Sequence, residues 1–535
     1  MRGEDGFDYI VVGGGSGGCV VAARLSEDPS VRVCLVEDGG PDTSFLVNVP
    51  AGAAALLPSR LCNYAYQTVP QPGLLNRRGY QPRGRVLGGS SAINAMCYIR
   101  GQAQDFDDWE AMGATGWGWR QVLPDFKHSE NNERGADDFH GIDGPLNVAD
   151  QRCTSQASRM FVEACVEHGL YRNPDFNGAR QDGAGLYQVN QKNGRRFSVA
   201  RAYLHPAMQR PNLTILTRTR AHRILTRHNR ATALVVADRR QRQRTLTAEQ
   251  GIICAGGVFG TPQLLMLSGM GPAAELAALG IRPVLDLPGV GRNLHDHPDY
   301  TLLYRSRCPD LYGIDLAGTH RNLASVRRFL RDGDGPLASN FAEGGAFFST
   351  TGSTRPDVQL HFVPGMLEDH ARCITPGRGY TVHVCVLRPE SRGRVTLASS
   401  DPRVAPLIDP AFLNADHDIN TLLAGFRMMR EMMEGPALKS IRGEERHTRG
   451  LTSDADLIQA LRARADTVYH PVGTCRMGQD EDAVCDPGLK LRGLDNVWIA
   501  DASVMPRVVS GNTNAATVMI GERAARFIRQ PSSGT

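Results

Sequence analysis

The sequence predicts an α/β protein, α+β overall, in which a discontinuous dinucleotide-binding domain carries a second domain inserted into it. Three observations predict this. The first 25 residues hold an apolar run, a glycine-rich turn and a helical pattern, in that order. Nucleotide-type elements return in the middle of the chain and again at its end. Between them lies a stretch of strand-like runs with one long helical pattern. At 535 residues the chain exceeds what one small core can organise, and length alone suggests two to four domain-sized units.

Residues 7–12 form the first apolar run, and Gly13, Gly14, Gly15, Ser16, Gly17 and Gly18 follow it. Val20, Val21, Ala23 and Leu25 then recur at helical spacing, and a second apolar run, 31–36, ends at Glu37. This is a βαβ unit closing on an acid. Gly13, Gly15 and Gly18 make GxGxxG: a tight turn, a close backbone approach to a pyrophosphate, and room for the helix to pack on the strand. Ser16 belongs to the same turn, where the helix N-terminus offers unpaired N–H groups to phosphates. Glu37 is placed to accept hydrogen bonds from ribose hydroxyls. The motif alone does not separate FAD from NAD.

Further on, residues 251–255 read as a buried strand, and Thr261-Pro262 opens a helix with proline at an early position, where its missing N–H costs little. Residues 497–500 form a strand closing on Asp501, and 515–528 a helix. Runs at 358–363, 380–387 and 394–397, with a helix near 419–433, fill the interval. These elements assign 1–155, 210–298 and 465–530 to the dinucleotide-binding domain, and 156–209 and 299–464 to the inserted one.

Composition narrows the function classes. The chain is 41% hydrophobic and 22% charged, with a mean hydropathy of -0.30. A net charge of +4 with no basic block gives no footprint for nucleic acid. Residues 1–8 lack a basic region followed by an apolar stretch, so no secretory leader is read and a cytoplasmic protein is expected. The uncharged stretch 251–274 is long enough to span a bilayer, but its glycines, two prolines and Gln263 suit a strand–loop–helix passage better. Twelve scattered cysteines without CxxC spacing fit reduced, mostly buried thiols.

Five stretches resemble, in order, the signatures of the glucose–methanol–choline (GMC) oxidoreductases: RGRVLGGSSAINAM at 83–96, GVFGTPQLLMLSGMG at 257–271, LPGVGRNLHDH at 287–297, YHPVGTCRMG at 469–478, and DAS followed by GNTNA at 501–515. Val258 stands where a smaller residue is usual. The likeness is greatest to bacterial choline-dehydrogenase-like and aliphatic-alcohol dehydrogenases. It implies a Rossmann-like FAD-binding domain and a substrate-binding domain built on an antiparallel sheet. It also implies that Gly88, Gly89 and Ser90 press bare backbone and hydroxyl against the cofactor, that Asn94 and Ala95 hold the isoalloxazine ring, that Asp501 and Ala502 meet the ribityl and phosphate region, and that Ala221 meets adenine. Covalently flavinylated members carry a histidine where this chain has Ile93, so non-covalent FAD is expected.

Oxidising an alcohol removes a hydride from carbon and a proton from oxygen; flavin takes the first and the protein must take the second. The resemblance casts His470 as general base, for which imidazole suits neutral pH, and Asn514 as the uncharged donor orienting the substrate oxygen. His361 alternates along a strand and would line the pocket, though an ordinary sheet histidine fits as well. Asn340 and Glu343 are candidates for the same cavity. His295-Asp296-His297 lacks a third ligand and reads as a structural loop, so no metal is expected. Cys475 carries no sign of a thiolate nucleophile. The partners implied are an alcohol and a quinone or other electron carrier, with oxygen as the alternative acceptor. Choline and polyols are further substrate candidates, a non-redox flavin lyase is a remote one, and peripheral contact with the inner face of a membrane and the oligomeric state stay open.

Overall fold

Strand Gly6–Val12 is buried along nearly its whole length, because both faces of a central parallel strand are covered and both must be apolar. It pairs in parallel with Val33–Val36 on one side and with Gln243–Cys254 on the other. Leu213–Leu216 extends the sheet beyond Val33–Val36. The long strand Gln243–Cys254 serves two partners: its first half pairs antiparallel with Arg230–Asp238, and its end pairs in parallel with Val497–Ile499. The seven-stranded sheet is therefore drawn from three separated parts of the sequence. The computed structural model that shows this describes residues 5–314, 318–373 and 375–530.

Helix Ser16–Leu25 starts directly from the glycine turn and packs against the C-terminal helix Asn514–Arg529. A Cβ on Gly17 would lie 1.8 Å from the Ala500 carbonyl oxygen, so only glycine lets these segments meet. The helix expected near Thr261 begins earlier, at Gly257, and runs to Leu267 with Pro262 inside it. Among the described residues no helix is long and apolar enough to cross a membrane, and the uncharged stretch near 251–274 is a strand end followed by this helix.

The second sheet has eight strands and is antiparallel, with the path Glu444–Arg446, Pro298–Ser306, Gly377–Val386, Val358–Val363, Gly344–Phe348 and Gly183–Leu186. The period of two decides what each strand does. Tyr300, Leu302, Tyr304, Leu360, Phe362, Tyr380, Val382 and Val384 join one core with Ile419, Leu422, Phe426 and Met429 of helix Asp416–Met433. The intervening residues Asp299, Thr301, Leu303, His361, Val363 and His383 face the opposite way, onto a cavity. The sheet, buried on both faces along its central strands, thus presents an apolar back to its helices and a mixed polar face to the cavity.

Candidate active site

The cavity, about 1290 Å³, is walled by the glycine turn of the first sheet on one side and by the polar face of the second on the other. Gly13, Gly15, Ser16, Glu37, Ala221, Asp501 and Ala502 lie on its wall. So do Gly89, Ser90, Asn94 and Ala95. Gly18 and Gly88 sit behind the wall: a Cβ at Gly18 would lie 1.9 Å from the Gly13 carbonyl oxygen, and Gly88 donates its N–H to Gly14 at 2.7 Å.

The nucleotide side fits a dinucleotide. Gly257 and Gly260 present bare backbone: a Cβ on either would meet nothing within 4 Å, and one on Gly15 would meet only the Ala255 oxygen at 3.9 Å. The Glu37 carboxylate accepts from Gly14 N–H at 2.8 Å and Gly39 N–H at 2.7 Å, and burial pushes its pKa up to about 7 against those two bonds. Asp501 accepts from Gly257 N–H, the Thr261 hydroxyl and Ser503 N–H, which fixes the start of the 257–267 helix against the 501–503 turn. Asn94 is gripped by Arg196, whose guanidinium donates to both its carbonyl and its side-chain oxygen.

At the other side stands His470. Its backbone N–H donates to Asp296 at 2.9 Å. Its Nδ1 lies 3.1 Å from Nδ1 of His297, and its Nε2 lies 3.1 Å from the amide nitrogen of Asn512. The proton positions follow from the far end of this chain. His297 Nε2 is 3.0 Å from the Leu387 carbonyl, which only accepts, so that nitrogen carries the hydrogen. His297 Nδ1 is then the acceptor, His470 Nδ1 must donate to it, and His470 Nε2 is left with a lone pair facing Asn512. Asn512 is oriented in turn: its oxygen accepts from Gln359 at 3.3 Å, which turns its nitrogen toward His470. Burial, with His297 close by, holds the His470 pKa well below the usual imidazole range, and burial pushes His297 down to about 3. The site therefore holds a neutral imidazole whose unprotonated Nε2, on the cavity wall, accepts from the Asn512 amide.

The sequence reading pairs His470 with Asn514. In the structure the residue hydrogen-bonded to His470 is Asn512, while Asn514 accepts from the Ser16 hydroxyl at 2.7 Å on the same cavity wall. His361 and Asn340 also line the cavity, and His361 Nδ1 and Asn340 Oδ1 are buried without a partner. Glu343 does not reach it. Its carboxylate is consumed by the Ser155 N–H, the Ser158 and Ser339 hydroxyls and the Tyr312 hydroxyl, so its part is to tie the sheet to neighbouring segments. Sequence reasoning passed over His297, Asn512 and Gln359. The alternation His295-Asp296-His297 was the available signal, since its second and third members are those that touch His470. Both nitrogens of His295 and of His297 are engaged, and the described residues hold no group of three or more His, Cys, Asp or Glu able to bind a metal.

Comparison with known proteins agrees with this arrangement. The two GMC oxidoreductase family models, for its N- and C-terminal parts, match residues 7–299 and 389–521. The chain belongs to the GMC oxidoreductase family. It is 46% identical over 526 residues to an alcohol dehydrogenase [acceptor] of Pseudomonas putida, covering 98% of this chain and 95% of that one. It is 41% identical over 532 residues to an oxygen-dependent choline dehydrogenase of Paraburkholderia phymatum, covering 98% and 92%. Among solved structures, pyridoxine 4-oxidase from Mesorbium loti superposes with a TM-score of 0.88 at 33% identity, covering 97% and 98% of the two chains. Formate oxidase superposes at 0.92 and 27% identity, covering 99% of each. This GMC oxidoreductase is an FAD-dependent enzyme acting on CH–OH donors, with a Rossmann-like FAD-binding sheet and an antiparallel substrate sheet facing one cavity.

Proposed function

We propose that this GMC oxidoreductase oxidises an uncharged primary alcohol to the aldehyde, with His470 as general base. The observation that carries the proposal is the oriented chain Leu387–His297–His470–Asn512, which leaves a neutral, unprotonated Nε2 accepting from an amide N–H on the cavity wall. A substrate hydroxyl entering between the two side chains replaces their mutual hydrogen bond: it donates its proton to Nε2, and the released Asn512 N–H donates to its oxygen as negative charge builds there. The O–H bond breaks toward imidazole, the carbinol carbon loses hydride, and the C=O bond forms. Bound FAD supplies the hydride acceptor. Asn514, on the same wall, is placed to add a second polar contact. Ile93 is buried among Val47, Leu56 and Val86 and offers no nucleophile, which supports non-covalent FAD. We place the domain boundaries near 155, 210, 298 and 465.

The charge on the cavity wall favours a neutral substrate over choline. Asp299 faces His383 at 2.7 Å, Asp466 faces Arg77 and His370, Asp38 faces Arg85 and Arg220, and Glu368 faces Arg464 and His447. Glu37 and Asp501 are held by N–H and hydroxyl donors, and Asp369 by Arg372. A quaternary ammonium would find no unpaired carboxylate among the described wall residues. The name of the relative at 46% identity supports transfer to a carrier such as a quinone, whereas the two oxidase structures favour oxygen as a second reading. The test is an anaerobic titration of the FAD-loaded enzyme with 3,3-dimethylbutan-1-ol and its cationic isostere choline. The neutral alcohol should bleach the oxidised flavin band, and choline should do so at least about tenfold less efficiently; the reverse order would overturn the substrate assignment. Colour that returns rapidly with peroxide on admitting air would favour the oxidase reading, and colour that returns only with a quinone the dehydrogenase.

A further inference from the structure

Tyr469, immediately before His470, has a φ of 76°. This left-handed backbone is rare for a bulky aromatic residue and persists only where the surroundings enforce it. Three contacts enforce it here. The Tyr469 N–H donates to the Thr467 hydroxyl at 2.6 Å, the Arg83 guanidinium donates to its carbonyl at 2.9 Å, and its own hydroxyl lies 2.8 Å from Nδ1 of His370. The last contact is the unexpected one, because His370 belongs to the connection between strands Val358–Val363 and Gly377–Val386, about a hundred residues away in sequence. His370 Nε2 faces the Asp466 carboxylate at 3.2 Å and therefore carries hydrogen, which orients the ring and leaves Nδ1 to bond the tyrosine hydroxyl. His370 is itself left-handed, at φ 58°, between Asp369 at 49° and Ala371 at 62°. Three consecutive residues in that conformation form a strained corner on the cavity wall, and the His370 ring ties it to the catalytic segment twice, through Asp466 and through the Tyr469 hydroxyl next to the base.

We infer that His370 is a positioning residue: through the Tyr469 hydroxyl it fixes the strained peptide that sets where His470 Nε2 stands. The inference rests on His470 as the base. Releasing the hydroxyl removes one of the three contacts that hold the strained Tyr469 backbone, and its relaxation toward ordinary backbone carries the next residue, His470, away from Asn512. The loss of one hydrogen bond and a displacement of the base by about an ångström together give a drop of about 10- to 100-fold in the chemical step.

The experiment uses the FAD-loaded enzyme and reads anaerobic flavin reduction by 3,3-dimethylbutan-1-ol, with melting temperature and bound FAD as controls. His370→Ala should lower the limiting reduction rate about 10- to 100-fold with little change in the substrate concentration for half-saturation. His370→Asn should recover to within about threefold of wild type, because its side-chain polar atom replaces Nδ1 and asparagine tolerates the left-handed backbone. Tyr469→Phe should match His370→Ala, and the double variant should be no slower than either single one. Equal rates for His370→Ala and His370→Asn, or losses that multiply in the double variant, would overturn the inference. If His370→Ala fails to fold, the Tyr469→Phe rate decides: a wild-type rate there also overturns it. A His470→Ala enzyme that reduces flavin at the wild-type rate would instead remove the base assignment, which separates the two failures.

Discussion

His297 is the residue through which the state of the base can be changed without touching the base. It takes the Nδ1 hydrogen of His470 at 3.1 Å and passes its own Nε2 hydrogen to Leu387 at 3.0 Å. His297→Leu leaves a buried N–H of His470 without an acceptor, which costs about 1–3 kcal/mol, or about 5- to 150-fold in rate if the cost falls on the reactive arrangement. It also removes the reason for the proton to sit on Nδ1, and a ring protonated at Nε2 cannot accept from substrate. His297→Asn places an oxygen where Nδ1 was and keeps the acceptor, so its rate should stay within about threefold of wild type. Stopped-flow reduction of the flavin without oxygen reads both variants, with melting temperature as the control for folding. Equal rates for the two variants, or a leucine variant as fast as wild type, would refute the tautomer argument.

Other consequences follow from the same geometry. Burial lowers the proton affinity of His470, and a base acts in its neutral form, so flavin reduction should be flat above neutral pH and fall only on the acid side, with a midpoint under about 6.5; a midpoint at or above 7 in a pH–rate profile would contradict this. The stability effect has the same sign. The unfolded chain takes up protons below about pH 6.5 that His297, pushed down to about 3, refuses when folded, so its contribution is whole above pH 6.5 and drains away as pH falls toward 3. The melting temperature of His297→Asn should therefore decline less steeply than that of wild type between pH 6.5 and 5. Gly13→Ala puts a Cβ 2.3 Å from the Ala255 oxygen at φ 106° and should yield no folded enzyme, whereas Gly15→Ala, whose Cβ meets only open cavity, should fold with melting close to the apoprotein but retain little FAD. Recovery of Gly15→Ala with full FAD would show that the cofactor does not press on the turn.

The parts of the fold that depend on local chemistry were legible in the sequence. Apolar runs bounded by Gly13–Gly18 and Glu37 can only be a buried strand and a turn into a helix, and the observed elements fall within a few residues of those runs. The alternation along 358–363 likewise put His361 on the opposite face from Leu360 and Phe362, as found. Contacts between distant segments were not legible. Asn512 and Asn514 differ by two positions in GNTNA, and only the turn before helix Asn514–Arg529 decides which amide reaches His470 and which reaches Ser16. Glu343 looked available because a lone carboxylate near a candidate pocket has no visible partners in sequence; its four donors come from residues 155, 158, 312 and 339. His297 has the look of a loop residue in sequence because its partner lies 173 residues away.

Reduction of the bound flavin by 3,3-dimethylbutan-1-ol in a single anaerobic turnover, comparing wild type with His470→Ala, bears most directly on the reaction. The variant should bind FAD and melt like wild type, yet reduce it at least about a hundredfold more slowly, since general base catalysis contributes about 10²–10⁴-fold. A His470→Ala enzyme that bleaches at the wild-type rate would show that the alcohol proton leaves by another route.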